Sequence, residues 1–243
     1  MAVVKKPLPL LLSLGFLVAA SVARADDDQL CFGPSGKDWA AAAEVCTAIL
    51  RRPILTPEWK VRALIARARA EARLRKLELA MADLNSALAI DPRNTLGLKL
   101  RSAIYEIEGK FREALRNTDL LLEINPNDPD YLNTSCWQHA GLWELEIAMA
   151  DCRKSLAIAP RSAATLDSLG FVQFRLRNYK EALAAYDAAL AIAPRLAPSL
   201  YVRGVIKRKL GNLADGDADM QAAAKIFPDI AESFAPFGLT QGN

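Results

Sequence analysis

The residues best suited to covalent or metal chemistry are the four cysteines, Cys31, Cys46, Cys136 and Cys152, and the single histidine, His139. They make a poor zinc set. Structural zinc takes four closely grouped Cys and His ligands, usually in CxxC-type pairs, and no such pair occurs here. Disulfides are the better use of an even number of thiols in an exported chain. Four cysteines allow three connectivities, and nearness along the chain favours Cys31–Cys46 and Cys136–Cys152. Buried free thiols are the alternative. No phosphate-cradling GxxxxGK[ST], GxGxxG or GxSxG motif is present, and one imidazole excludes most nucleophile–base pairs. His139 reads as a helix-packing residue, and Asp217 and Asp219 as a solvated helix surface. The expectation is a chain with no catalytic set, no cofactor and no metal, which leaves binding.

Charge and hydropathy say where the chain goes. Its 243 residues carry 31 basic and 28 acidic side chains, a formal net charge of +3. Lys5 and Lys6 precede an apolar run, Leu8 to Ala20, and Ala23-Arg24-Ala25 stands before Asp26. This order predicts a signal peptide over 1–25, cut between Ala25 and Asp26. No Arg-Arg pair occurs in it, so general secretion is expected rather than the twin-arginine route. The destination is the bacterial periplasm, or otherwise the secreted fraction. Asp28-Gln29-Leu30 before Cys31 argues against lipid attachment. The leader holds three bases and no acid, so the mature chain has 28 acids balanced by as many bases. That balance argues against a nucleic-acid partner, which calls for a clustered basic excess. No later apolar run reaches the roughly 20 residues of a membrane span, so no integral membrane segment is expected after cleavage.

The rest of the chain repeats. Pro92, Pro126, Pro160, Pro194 and Pro228 are evenly spaced, two places after Ile90, Ile124, Ile158, Ile192 and Ile226. Leu64, Leu98, Leu132, Leu166 and Leu200 share the period, as do the small residues Ala80, Ala114, Ala148, Ala182 and Gly216. Within a unit, Ser162, Asn94 or Asp128 offers a helix N-cap, and Pro129 suits the first helical position. Leu166, Leu169 and Phe174 recur at helical spacing. A short turn (Arg177-Asn178, Gly109-Lys110, Gly211-Asn212) leads to a second helix, which proline then ends. Glycine is absent from the first and third turns, at Arg75-Lys76 and Trp143-Glu144. In an antiparallel hairpin Cys136 and Cys152 fall at about one level, within disulfide reach. Gly216 in place of alanine is expected to weaken its helix by about 1 kcal/mol.

A 34-residue period with this pattern resembles the tetratricopeptide repeat family. The resemblance covers five units, 61–94, 95–128, 129–162, 163–196 and 197–230. It implies an all-α fold, an α-solenoid of antiparallel helix pairs wound into a right-handed superhelix. Residues 26–60 form an N-terminal loop and capping helix, and 231–243 a partial C-terminal cap. In proteins of this kind the first helix of each unit lines a concave groove that takes a peptide or partner segment. Mapped here, that groove has a basic patch, Arg62, Arg69, Arg73 and Lys99. It also has an aromatic, mixed patch, Asn133, Trp137, Asp167, Phe171, Phe174, Arg175, Tyr201 and Arg208. Aromatic and arginine anchors of this sort make binding hot spots. Helix packing for Phe174 and Trp137, and a solvated face for the arginines, are the plainer alternatives. The family's carboxylate clamp is not reproduced, since its columns hold Ile65, Lys99, Arg69 and Ala103. The expected partner is a protein or peptide, with the basic residues steering an acidic or C-terminal carboxylate segment. The rival readings are an envelope scaffold using its convex face and self-association through the incomplete C-terminal helix.

Overall fold

Recurrent start and stop residues divide the chain into helix pairs. The computed structural model describes residues 29–33 and 38–239, so the leader and its Ala25–Asp26 junction lie outside the described residues. Among the described residues there are helices and turns and no strands. The helices are α1 (Trp39–Leu50), α2 (Pro57–Arg73), α3 (Leu77–Ile90), α4 (Thr95–Ile107), α5 (Phe111–Ile124) and α6 (Pro129–Gly141). They continue with α7 (Leu145–Ile158), α8 (Ala163–Arg175), α9 (Tyr179–Ile192), α10 (Ala197–Lys209), α11 (Leu213–Ile226) and α12 (Ile230–Phe234). A 3₁₀ turn, Ala235–Phe237, follows α12. The fold is all-α, built from repeated helix pairs. Two compact units divide the chain, residues 1–100 and 101–243.

Local chemistry explains the boundaries. The Asn94 side chain accepts from the Gly97 N–H at 3.0 Å, and Ser162 from the Thr165 N–H at 3.2 Å. Asp128, which precedes Pro129, accepts from the Asp130 and Tyr131 N–H groups. Each satisfies helix donors that have no partner within the helix. The turns inside the pairs share one left-handed residue: Arg75, Gly109, Trp143, Arg177 and Gly211, with φ between 61° and 87°. Only two are glycine, so three side chains sit where a Cβ crowds the backbone. Arg177 is exposed. Arg177→Gly is therefore expected to raise stability by about 1 kcal/mol, read as a higher urea midpoint at unchanged slope. An unchanged midpoint would show that the turn stores no such strain.

In the first unit α1 packs on α2, and α2 on α3. A disulfide joins Cys31 to Cys46 with Cα atoms 5.1 Å apart. It holds the short helical turn at 29–32 against α1, over a core of Cys46, Ile49, Ala63 and Ala66. In the second unit α6 pairs with α7, α8 with α9 and α10 with α11. Its core includes the fully buried Phe171, Tyr186, Tyr201 and Ile206. Cys136 and Cys152 are joined between α6 and α7, Cα atoms 5.3 Å apart.

That disulfide occupies a position that every pair fills with complementary sizes. The matching positions hold Ala68 and Leu84, Ser102 and Thr118, Gly170 and Tyr186, and Gly204 and Met220. Ser102 and Thr118 share a hydrogen bond at 3.3 Å. A Cβ on Gly170 would lie 2.9 Å from Tyr186 Cζ, so the glycine makes room for the ring. The small column is buried throughout, Ala80, Ala114, Ala148 and Ala182 completely so. The isoleucine column is different. Ile90, Ile124, Ile158 and Ile192 are all more than a third exposed. They end their helices, where the apolar stripe has turned away from the partner helix.

Candidate functional site

The basic patch of the first unit is largely committed to the protein itself. Arg69 donates from Nη2 to the Phe32 carbonyl at 2.8 Å, and so secures the disulfide-bound turn. Arg62 lies over the Phe32 and Trp59 rings, 4.8 and 4.9 Å from their centroids. Arg73 lies 5.6 Å from the Trp39 ring centroid. These stacks immobilise guanidinium groups on aromatic faces. Arg62 and Arg69 line a cavity of about 340 Å³, shared with Phe32, Ile65 and Leu96. Arg73 and Lys99 do not line it.

Aspartates on the second helices hold first-helix arginines, a pattern not read from the sequence. Arg67 forms a two-pronged bond to Asp83, both contacts 2.7 Å. Arg203 does the same with Asp219 at 2.7 Å, and Lys207 adds a third donor to Asp219. Asp219 is buried, which corrects its reading as a solvated surface residue. Burial alone would raise its carboxyl pKa, but Arg203 and Lys207 together hold it below its ordinary range. The signal was available: Arg67 and Asp83 recur one period on as Arg101 and Asn117, and again as Arg203 and Asp219. Arg208, expected in the groove, pairs with Asp217.

In the second unit the aromatic patch is split into an interior and a cavity wall. Phe171 and Tyr201 are each only 1% exposed, so neither is an open groove residue. Phe174 leans instead toward Tyr179, centroids 6.0 Å apart. The cause for Phe171 and Tyr201 is the segment after the last repeat. Phe234 stacks on Tyr201 at 5.5 Å, and the Tyr201 hydroxyl donates to the Leu239 carbonyl at 3.2 Å. Phe237 reaches Trp137 at 5.4 Å, Phe171 at 5.5 Å and Phe111 at 5.9 Å. Arg175 covers the same cluster, 4.9 Å from the Phe171 centroid and 3.8 Å from Trp143. Burial lowers the Arg175 pKa from its ordinary value. The expected beginning of a further first helix is thus a short, folded-down cap: Pro236 and the left-handed Gly238 end it.

Three expected residues, Asn133, Trp137 and Asp167, come together around a cavity of about 450 Å³. Phe234, Phe237 and Glu106 are among the other residues that line it. Glu106 accepts from Gln138 Nε2 at 2.6 Å, and Asp167 accepts from Ser199 Oγ at 2.5 Å. Burial pushes Glu106 up to about 7, against the Gln138 hydrogen bond. Burial likewise pushes Asp167 up to about 6, against the Ser199 bond. The Asn133 Oδ1 atom is closed to solvent and has no hydrogen-bond partner. His139 lies apart from this cavity, with Nδ1 2.6 Å from Glu144 Oε2, and ties the end of α6 to its turn. Among the described residues no group of three or more His, Cys, Asp or Glu side chains is placed to hold a metal ion. No described helix is long and apolar enough to cross a membrane.

Residues 163–196 match the tetratricopeptide repeat family model. No curated protein matches the sequence at a significant level. Among solved structures, a tetratricopeptide repeat protein from Parabacteroides merdae ATCC 43184 is 20% identical, with a TM-score of 0.67 over 94% of this chain and 80% of that one. PilW, described as a widely conserved type IV pilus biogenesis factor, is 22% identical, with a TM-score of 0.61 over 74% of this chain and 87% of its own. YrrB, described as a tetratricopeptide protein with an unusual peptide-binding site, is 19% identical. Its TM-score is 0.52 over 82% of this chain and all of its own. Residues 163–196 thus match a tetratricopeptide repeat, and the chain shares its fold with solved tetratricopeptide repeat proteins.

Proposed function

We propose that this chain of tetratricopeptide-like repeats is an exported protein-interaction module whose second unit binds a polypeptide segment at the cavity beside Trp137. The observation that carries the reading is the cavity itself. Aromatic walls and a few polar side chains, Glu106, Asn133 and Asp167, around about 450 Å³ are the ordinary make-up of a binding site. YrrB, described as having an unusual peptide-binding site, shares this fold and supports it. Export, to the periplasm or otherwise outside the cell, is supported by the leader-like start of the chain. The pairing of all four cysteines suits an oxidising compartment. Nothing in the reading requires catalysis, a cofactor or a nucleic acid.

The test is site-specific photocrosslinking in the native host. A photoreactive residue replacing Ala164, exposed on the cavity rim, is expected to capture a polypeptide. The same residue replacing Lys180, exposed on the second helix α9, is expected to capture none. Capture only from Lys180 would replace this reading with the convex-face scaffold. Capture of a second copy from Ala164 would instead establish self-association.

A further inference from the structure

The charged groups lining the Trp137 cavity are of one sign, set beside the hydroxyls of Thr134, Ser168 and Ser233. Glu106 and Asp167 are carboxylates, and Asn133 presents a buried, unpartnered amide oxygen. Among the residues lining the cavity there is no lysine, arginine or histidine. Each carboxylate takes one donor, Gln138 on Glu106 and Ser199 on Asp167, and an ionised carboxylate has capacity for more. Arg175 is stacked on Trp143 and Phe171 and lies 5.6 Å from the Phe237 centroid, behind that ring, and does not itself line the cavity. The apolar wall combines the Trp137, Phe234 and Phe237 rings with aliphatic Leu196, Pro198 and Ile230.

An anionic ligand is excluded on these grounds. A carboxylate or phosphate would enter beside two carboxyl groups and find no cation. A wholly apolar ligand would take the remaining acceptor capacity of both carboxylates out of water and supply no donor in its place. A cation answers every feature. Its donors match the acceptors, aromatic faces attract it, and an alkyl stem covers apolar wall while its head stays paired. Ala164, Phe227 and Ser233 are exposed at the rim, so a polypeptide backbone can cross the mouth while one side chain enters.

We propose that this cavity takes the cationic side chain of a lysine or arginine presented by a partner polypeptide. Its head meets the carboxylates of Glu106 and Asp167, and its stem lies against Trp137, Phe234 and Phe237. This rests on the peptide-binding reading above and reverses the polarity expected from the sequence. The raised carboxyl groups fit a site whose counter-charge is brought by the ligand.

The probes are capped Gly-Ser pentapeptides with a central lysine, arginine, Nε-acetyl-lysine or glutamate, together with the free diamine cadaverine. Each is titrated into the full mature chain at about pH 8, following the Trp137 indole N–H resonance by NMR; that pH lies above the ordinary carboxyl range. The lysine and arginine peptides are expected to shift it saturably, at least about tenfold more tightly than the acetyl-lysine and glutamate peptides. The double variant Glu106→Gln, Asp167→Asn is expected to lose that preference while keeping its helical melting transition. If the double variant does not fold, Glu106→Gln alone is expected to weaken the cationic peptides by severalfold. Equal binding of the acetylated peptide, or undiminished preference in the folded variants, overturns the proposal. Cadaverine binding as tightly as the peptides overturns the polypeptide source in favour of a small-amine site. Capture of a polypeptide at Ala164 without any cationic preference sinks this inference and leaves the peptide-binding reading standing. Loss of both sinks both.

Discussion

Between about pH 5 and pH 8 the protein is expected to lose thermal stability, and Glu106→Gln is expected to remove much of that loss. Burial raises Glu106 from its ordinary 4.5 to about 7. The folded state therefore binds this proton more tightly than the unfolded state does. Stability falls with pH wherever the folded state holds more protons. For Glu106 the loss begins as pH rises above the unfolded value and is complete once it passes the folded value. The difference corresponds to about 3 kcal/mol, or a melting temperature lower by roughly 10 °C for a chain of this size. Asp167, raised from 3.8 to about 6, adds to the fall in the lower part of the range. Gln at 106 keeps an oxygen for Gln138 but carries no charge to desolvate. Circular dichroism melts of both proteins across this range check it. The curve of the variant should flatten and lie above that of the parent at pH 8. Parallel curves would mean that Glu106 reaches water.

Gly216→Ala is expected to destabilise the protein by about 2 kcal/mol, against the sign that helix propensity sets. Propensity alone makes alanine better than glycine inside a helix by about 1 kcal/mol. Here α10 and α11 touch backbone to backbone. A Cβ on Gly216 would stand 2.6 Å from Arg208 Cγ, 2.7 Å from the Gly204 carbonyl oxygen and 3.0 Å from the Arg208 nitrogen. The arginine stem can swing aside, but two backbone atoms cannot, so the helices must part and loosen the fully buried Ile206 nearby. Overpacking of this kind costs about 1–3 kcal/mol. The observable is the urea midpoint, which should drop. A rise would mean that the helices separate freely. Gly204→Ala should behave alike, since its Cβ would come 2.6 Å from Met220 Cγ and 2.7 Å from the Gly216 carbonyl oxygen.

The two predictions mark the border between what was legible in the sequence and what was not. Helix limits were legible because they rest on local chemistry. Asn94, Asp128 and Ser162 cap the helices they precede, and the second helices start at Leu77, Phe111, Leu145, Tyr179 and Leu213. The buried small column followed from the same period. The Gly216 column was legible as small, yet its meaning was not. Whether a missing methyl is a defect or a clearance depends on the distance to a helix that the sequence does not measure.

The candidate site was only half legible. Asn133, Trp137 and Asp167 were expected on the first-helix face, and they do line one cavity. Phe171 and Tyr201, on the same face by the same reasoning, are covered by Phe237 and Phe234. Those two rings lie beyond the last full repeat; Phe234 still keeps the column of Leu200, but Phe237 falls in the 3₁₀ turn, where α-helical spacing no longer places a side chain. Glu106 was missed because one carboxylate on a helix carries no mark of its burial. The sequence by itself determined the helix pairs, their spacing and which side chains share a face, all consequences of backbone periodicity and capping. Only the tertiary structure decided which of those faces is open and what charge it presents. Burial and polarity arise from contacts between segments far apart in the chain, here the α4, α6 and α8 helices and a C-terminal cap folded down beside them.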